Sequence, residues 1–343
     1  MRGRFVLVLA SLLLVTALAL ARSAPSPAQD TVAPRTDGCL ACHVGIESMH
    51  PEAELSCVDC HGGDANARSK KDAHVASTRT EAPDERVAPL DDDLAWRRFV
   101  NPMDLRVAPA TCGRCHERLV EHLQVSLHGT TAGHLSDGYY EVGAKPTRGA
   151  EFSVFPVRAP GGSTTPYTSF RQVPPFDDRR GARDLATHYG DLARKECLQC
   201  HLWSAGRAVR GRVGFDGDYR GEGCAACHVE YARDGLSRSA DRSVNHTEPG
   251  HARVHAMQRA ATTDTCTSCH YGDASIGTNF RGLAQLPPGA PGGPEIPGTT
   301  REPLNRQYYL SDPAVAPPDV HHERGMHCVD CHTLRDVMGD GQL

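Results

Sequence analysis

The 343-residue sequence has few of the large apolar side chains that usually fill a protein core. It contains only three isoleucines, two tryptophans and eight phenylalanines. Glycine and proline, with 33 and 24 residues, are more frequent than in an ordinary globular chain but less frequent than in a disordered one. We therefore expect a folded chain that relies on cross-links or bound groups as well as on its own side chains.

Lysine is also scarce, and no basic stripe is present in the sequence. Only four of the 37 basic residues are lysines, and the formal net charge is −5. Proteins that bind nucleic acid usually carry positive charge clustered on one face or along one helix. We therefore expect no nucleic-acid partner.

Cysteine, in contrast, is abundant and regularly spaced. All fourteen cysteines belong to the pentapeptide Cys-x-x-Cys-His, which occurs seven times. A random sequence of this composition would contain about 0.03 such pentapeptides. We number these signatures in chain order: Cys39 to His43, Cys57 to His61, Cys112 to His116, Cys197 to His201, Cys224 to His228, Cys266 to His270 and Cys328 to His332.

The signature has the spacing of a covalent haem site. Two cysteines separated by two residues can form thioethers to the two vinyl groups of one haem, and the histidine that follows can bind the iron. Three other chemistries also use paired cysteines. Zinc sites combine such pairs two at a time, whereas this chain has an odd number of them. A thioredoxin-like redox motif would occur only once. A disulfide framework would leave the histidines unexplained. The pattern predicts seven covalently bound haems.

The N-terminus has the features of a secretory signal peptide. Arg2 and Arg4 precede an apolar run from Phe5 to Ala21, and the end of that run, Ala19-Leu20-Ala21, offers the small residues that a signal peptidase needs. We predict a signal peptide over residues 1–21. An uncleaved anchor is the alternative, because the run has the minimum length of a membrane span. Export would place the protein in the periplasm or on the outer surface.

Loops divide the rest of the chain into modules. The predicted segments are a linker (22–37), a two-haem N-terminal module (38–110), a third-haem segment with a long loop (111–180) and a four-haem C-terminal module (181–343). Polar or Pro/Gly-rich stretches at 62–94, 156–180 and 287–298 are predicted as loops.

Helical spacing of apolar residues is present in a few places. Leu119, Leu123 and Leu127 follow the third signature on one helical face, and Gly129 lies where that helix would end. Two further helices are predicted over 182–196 and 250–259. The last of these would place His251 and His255 one turn apart on one face.

The repeated signature resembles that of the multihaem c-type cytochromes, exported electron carriers of bacteria that respire anaerobically or reduce metals. The match extends from Cys39 to His332, and the tails Gly325-Met-His-Cys-Val-Asp-Cys-His-Thr and Val337-Met-Gly-Asp-Gly341 are similar to those of a subgroup. The resemblance implies a mainly α fold with extensive irregular loops and little strand, organised around stacked covalent haems.

The resemblance also implies roles for the signature residues. The haems would be attached through Cys39, Cys42, Cys57, Cys60, Cys112, Cys115, Cys197, Cys200, Cys224, Cys227, Cys266, Cys269, Cys328 and Cys331. The proximal iron ligands would be His43, His61, His116, His201, His228, His270 and His332. Other redox proteins are the implied partners: a quinol dehydrogenase, cytochromes or a terminal reductase, with an outer-membrane conduit as a further one.

The second ligand of each iron is expected to be histidine. Twelve of the nineteen histidines lie outside the signatures, whereas the chain has only six methionines. Bis-histidine ligation implies lower potentials than histidine–methionine ligation. The distal candidates are His50, His74, His128, His134, His251, His255, His321 and His327.

Local sequence suggests sites for some of these candidates. His50 and His74 are expected to serve the first two signatures, while His128 and His134 compete for one haem. His321 and His327 are expected to reach neighbouring haems. We expect the remaining histidines to be ordinary side chains that do not bind iron: His122, His188, His246 and His322.

Three functions are compatible with this pattern. The uniform signatures and surplus histidines favour an electron carrier. A reductase of a small nitrogen or sulfur oxyanion would need one iron with an open position, which the long segment from His116 to Cys197, with Tyr139, Tyr140 and many arginines, could house. A structural role in a conductive filament or an outer-membrane conduit is the third alternative.

Overall fold

Short helices joined by irregular loops make up most of the regular structure. The computed structural model describes residues 37–78, 93–174, 184–195, 200–203, 221–232, 235–248, 250–270, 276–286, 300–304 and 307–343. These residues are mostly helix and loop with little strand, as predicted. All of them belong to one unit, Arg35–Leu343.

The helices range from four to thirteen residues in length. They are α1 (Asp37–Cys42), α2 (Cys57–His61), α3 (Lys70–Ala73), α4 (Leu94–Val100), α5 (Gly113–Val125), α6 (Leu127–Thr130), α7 (Ala132–Glu141), α8 (Leu185–Lys195), α9 (Ala225–His228), α10 (Thr263–Thr267), α11 (Ile276–Arg281), α12 (Val320–Glu323) and α13 (Leu334–Met338). In the described part of the chain, 3₁₀ turns cover Ala108–Ala110 and Cys328–Asp330.

Six short strands form two three-stranded sheets in the described residues. They are β1 (Phe152–Ser153), β2 (Val157–Arg158), β3 (Ser169–Gln172), β4 (Leu283–Gln285), β5 (Thr300–Leu304) and β6 (Gln307–Ser311). In the first sheet β3 is central, parallel to β1 and antiparallel to β2. In the second, β6 lies between β4 and β5, and both pairings are antiparallel. The predicted loop at 156–180 therefore contains β2 and β3.

The helix after the third signature ends earlier than predicted. It stops at Val125 because Ser126 takes an extended backbone conformation and its Oγ accepts the Gly129 N–H at 3.1 Å, which starts α6. Gly129 therefore lies inside α6 rather than at a helix end. A Cβ there would come within 2.1 Å of the Leu123 carbonyl oxygen, so glycine allows a close backbone approach. Leu127 is 69 % exposed and does not share the buried face of Leu123.

The other two helix predictions have opposite outcomes. The helix predicted over 182–196 is confirmed as α8, Leu185–Lys195. The helix predicted over 250–259 is wrong. The N–H groups of Gly250 and His251 both donate to the Gly235 carbonyl, and that of Arg253 donates to the Glu230 carbonyl. Its backbone hydrogen bonds therefore go to other segments, so His251 and His255 do not share a helix face.

The largest apolar cluster lies around α5, α7, α8 and the first sheet. Its most deeply buried side chains include Leu105, Leu135 and Val154. Tyr139 packs edge-on against Tyr189 with ring centroids 4.8 Å apart. This cluster occupies much of the segment that was considered for an open catalytic site, and Tyr139, at 2 % exposure, is a core residue.

Several predicted features lie outside the described residues. These are the signal peptide (1–21), most of the linker (22–36), the loop at 287–298 and Cys197 of the fourth signature. Within the described residues, no helix is long and apolar enough to cross a membrane.

Candidate metal centres

Each of the six signatures that the structure describes in full is wound into about one helical turn. In five signatures the histidine N–H donates to the carbonyl of the first cysteine, four residues earlier, at 2.8–2.9 Å. The second signature is itself the helix α2. Residues three and four apart lie on the same side of a helix, so the turn presents both cysteines and the histidine in one direction. That arrangement suits a group held by two thioethers and one imidazole.

Four signature histidines each lie opposite a histidine from outside the signatures. The ring centroids are 6.1 Å apart for His43 and His74, and 6.0 Å for His61 and His255. They are 6.5 Å apart for His116 and His50, and 6.1 Å for His270 and His128. We call these the opposed pairs.

The spacing of the opposed pairs fits two imidazoles on either side of one metal ion. An imidazole nitrogen binds a metal at about 2 Å and lies about 1 Å from the centre of its ring, so two such rings have centroids about 6 Å apart. Stacked histidines in direct contact would be closer. A haem iron takes at most two protein ligands, and a pair is sufficient for it. The described residues contain no group of three or more His, Cys, Asp or Glu side chains arranged to hold a metal ion.

Hydrogen bonds fix the tautomer of several of these imidazoles. The acceptors of their Nδ1–H groups are carbonyl or carboxylate oxygens, which cannot donate. The bonds join His61 to the Phe99 carbonyl at 2.7 Å, His255 to the Glu47 carbonyl at 2.8 Å, His128 to the Val337 carbonyl at 3.0 Å, His228 to the Gln258 carbonyl at 2.9 Å and His43 to an Asp241 carboxylate oxygen at 2.8 Å. Each Nε2 is then left as a lone-pair donor, as metal-binding histidines usually are.

Burial also keeps several opposed histidines neutral. It lowers the pKa of His61, and the nearby His255 lowers it further. It likewise lowers the pKa of His74 beside His43, and of His128 beside His270. Neutral imidazole is the form that binds a metal.

Glu47 joins the N-terminal signatures to the segment that carries His255. Its carboxylate accepts the Ser239 hydroxyl and the Ala240 N–H, both at 2.7 Å, and the His255 N–H at 3.2 Å. Burial alone would raise the pKa of Glu47, but these hydrogen bonds outweigh it and lower the pKa to about 2. Together with the Nδ1 bond to the Glu47 carbonyl, they hold the His255 ring in place. The contacts connect the predicted N-terminal and C-terminal modules.

The cysteines of different signatures lie next to one another. Thiols of different signatures shift one another's pKa: Cys39 raises that of Cys57, Cys224 lowers that of Cys112, and Cys266 lowers that of Cys328. The contact with Cys224 lowers the pKa of Cys112 to about 6, and the contact with Cys266 does the same for Cys328. The signatures therefore form neighbouring sites rather than isolated ones.

The surroundings of the signatures are unusually open. None of the thirteen described cysteines is buried, although cysteine is among the most frequently buried residues. Large apolar side chains within or next to the signatures in sequence are also exposed: Leu40, Val44 and Leu334. A bulky apolar group attached to the cysteines would cover such a surface.

The distal candidates divide into two groups in the structure. His50, His74, His128 and His255 belong to the opposed pairs. The structure pairs His50 with His116 of the third signature, rather than with the first two signatures as local sequence suggested. In the described part of the chain, His134, His321 and His327 have no ring contact with a signature histidine. The Nε2 atom of His251 lies 3.9 Å from the Oε2 atom of Glu248.

The other signature histidines also differ from one another. His201 is buried, and its Nδ1 accepts the Trp203 N–H at 3.0 Å instead of donating. Neither His228 nor His332 has a ring contact with another histidine of the described residues.

Sequence reasoning missed the residues that anchor the histidines. Asp241 and Glu47 belong to no motif, and the carbonyls of Phe99, Val337 and Gln258 carry no side-chain signal. Only the tertiary fold brings these groups to the imidazoles. A scan against protein-family models, a search of curated proteins and a search of solved structures each found no match for this chain.

Proposed function

We propose that this chain is an exported seven-haem c-type cytochrome that carries electrons along its haems. The opposed pairs are the observation that carries the proposal, because each couples a signature histidine to an outside histidine at 6.0–6.5 Å. Packing of apolar side chains does not require four such pairs, each containing a signature histidine. Two axial imidazoles on one iron do require this arrangement.

The residues around the opposed pairs fit a haem in other respects. Each of the six fully described signature turns carries two cysteines, none of them buried, on the side of its histidine. Hydrogen bonds at Nδ1 orient His43, His61, His128, His228 and His255. When bound, the haems supply one-electron chemistry that no side chain of this protein provides.

The contacts between signatures support a relay. Thiol contacts bring together the first and second, the third and fifth, and the sixth and seventh signatures. The charge of Cys112 also acts on Cys60, which brings the third signature near the second. Electron transfer along a chain requires such close neighbours, whereas an isolated storage site does not.

The cellular setting is part of the proposal. The N-terminal apolar run supports export to the periplasm or the outer surface, where the cysteines would meet the haem-attachment machinery. The partners are then other redox proteins: a quinol dehydrogenase, cytochromes, a terminal reductase or an outer-membrane conduit. Anaerobic respiration or extracellular electron transfer is the process in which the relay would act.

Haem stoichiometry tests this proposal. The full chain is produced in a host with a cytochrome c maturation system, and haem is counted by intact mass and by pyridine haemochrome absorbance. We expect seven haems per chain that remain attached after denaturation. The variant Cys328→Ser with Cys331→Ser is the matched control and should carry one haem fewer. A wild-type count well below seven contradicts the proposal.

One observation favours a second candidate function, a multihaem reductase of a small nitrogen or sulfur oxyanion. His228 is anchored through Nδ1 like the paired histidines, yet it has no ring contact with another histidine among the described residues. An iron held by His228 alone would keep one position for substrate. A high-spin haem that binds nitrite or cyanide, and loses that signal in His228→Ala, would support this candidate.

A further inference from the structure

His43 differs from the other anchored histidines in the group that accepts its Nδ1–H. His61, His128, His228 and His255 donate to neutral backbone carbonyls. His43 donates to the carboxylate of Asp241 at 2.8 Å, across 198 positions of sequence. Asp241 is buried to 1 % side-chain exposure, whereas the His43 side chain is 33 % exposed.

Hydrogen bonds within its own segment hold the Asp241 carboxylate in position. Its Oδ1 accepts the Ser243 N–H at 2.8 Å, and its backbone N–H donates to the Ser239 Oγ at 3.1 Å. His246 donates through Nε2 to the Asp241 carbonyl at 3.1 Å. Ser243 Oγ also lies 2.9 Å from His43 Nδ1. Because the carboxylate is oriented independently of His43, it forms a prepared acceptor for the ring.

Close backbone contact brings the two segments together. Gly45, two residues after His43, has a φ of 91°, and a Cβ there would lie 2.6 Å from the Ala240 carbonyl oxygen. A side chain at this position would push the first signature away from Asp241. Glycine is therefore needed for the His43–Asp241 contact.

The carboxylate should change the electronic character of the imidazole. A buried negative charge accepting the Nδ1–H draws the proton away, and this raises the basicity of Nε2, the nitrogen that would bind an iron. A more basic ligand stabilises the oxidised iron relative to the reduced iron, which lowers the reduction potential. A backbone carbonyl has the same effect only weakly, since it carries no net charge.

A second histidine–carboxylate contact is present but lies in water. His321 Nδ1 is 2.9 Å from an Asp319 oxygen, with side-chain exposures of 62 % and 45 %. Solvent screens an exposed charge, so its effect on the ring is weak. Of these two carboxylates that contact a histidine Nδ1, Asp241 is the buried one.

We propose that Asp241 makes the haem of the first signature the lowest-potential haem of the protein, through its hydrogen bond to His43. The inference rests on the proposed function, since it requires a haem at this site. It assigns Asp241 as a positioning residue that acts on the iron through His43.

Redox titration of the holoprotein with Asp241→Asn tests the proposal. The amide keeps the shape and an accepting oxygen but removes the charge, so the most negative titration step should shift to higher potential with all haems still attached. The matched control is Asp72→Asn, which removes an exposed carboxylate two residues before His74. This carboxylate accepts a hydrogen bond from the Ser69 hydroxyl and contacts no histidine of the described residues. That control should leave the step unchanged. An unmoved step in Asp241→Asn, or an equal shift in both variants, overturns the proposal.

A second variant leaves Asp241 intact. His74→Met replaces the histidine opposite His43, and methionine ligation raises the potential of a haem. We expect one bis-histidine spectrum to be lost together with the most negative step. Loss of that spectrum with the step retained overturns the proposal. Haem counting of the wild-type protein reports separately on the proposed function, which fails if the count is well below seven haems per chain.

Discussion

At the scale of single residues, the candidate sites depend on how each imidazole is held. A histidine ring that donates its Nδ1–H to a fixed oxygen has one orientation and one free lone pair. His61, His128 and His255 combine this anchor with a partner ring at 6.0–6.1 Å. Burial lowers the pKa of His61 and His128, so both are neutral at pH 7. These features together distinguish a ligand from an ordinary surface histidine.

The pairing of His50 with His116 gives a specific prediction. His50→Ala should convert one haem from low-spin to high-spin while all seven remain attached, because the proximal His116 and both thioethers are unchanged. Electron paramagnetic resonance of the oxidised protein measures the change.

The matched control for this prediction is His188→Ala. His188 is exposed on α8 and has no ring contact with a signature histidine in the described residues. The His188→Ala variant should leave the low-spin spectrum unaltered. An unchanged spectrum in His50→Ala would remove His50 from the ligand set.

At the scale of elements, the short helices serve mainly to present the signatures, and one region has a core of its own. The helices α5, α7 and α8 pack with the first sheet around Leu135 and Tyr139. A Cβ on Gly138 would overlap the Tyr189 ring, which shows how closely α7 and α8 approach. This core stabilises the chain between the third and fifth signatures, and Ala226 and Cys224 of the fifth signature pack in it or against it.

The core therefore predicts a stability effect that is separate from haem ligation. Leu135 is 1 % exposed, so Leu135→Ala should lower the free energy of unfolding by about 2–5 kcal/mol through lost contacts and a cavity. Denaturant unfolding of the holoprotein, followed by far-UV circular dichroism, measures this change.

The control for the core variant is Val142→Ala, at a residue that is 38 % exposed just after α7. It should change the free energy of unfolding by less than about 0.5 kcal/mol. Both variants should keep the low-spin spectrum. Equal stabilities of the two variants would contradict the assignment of the core.

Features that depend on residues close together in the sequence could be predicted, whereas those that depend on distant residues could not. The helix α8 and the turns of the signatures depend on nearby residues and were predictable. The segment around His255 was predicted as helix, but its backbone hydrogen bonds run to residues 228, 230 and 235, which no local pattern encodes. His50 was assigned to the wrong neighbourhood for the same reason. Asp241 contacts a residue 198 positions away in the chain, and Glu47 contacts one 208 positions away.

At the scale of the whole molecule, the signatures, rather than one central core, connect distant parts of the chain. The N-terminal signatures contact residues 239–255 through Asp241, Glu47 and His255. The sixth signature meets His128, and its Cys266 meets Cys328 of the seventh. Scarce large apolar residues and exposed thiols are consistent with haems that contribute much of the buried mass. We propose that the opposed pairs hold low-spin haems.

Electron paramagnetic resonance and near-infrared magnetic circular dichroism of the oxidised holoprotein test that claim most directly, because they report the two axial ligands of each iron. We predict bis-histidine low-spin signals from at least four of the seven haems, one for each opposed pair. Fewer than four bis-histidine haems in a fully loaded protein would contradict the account.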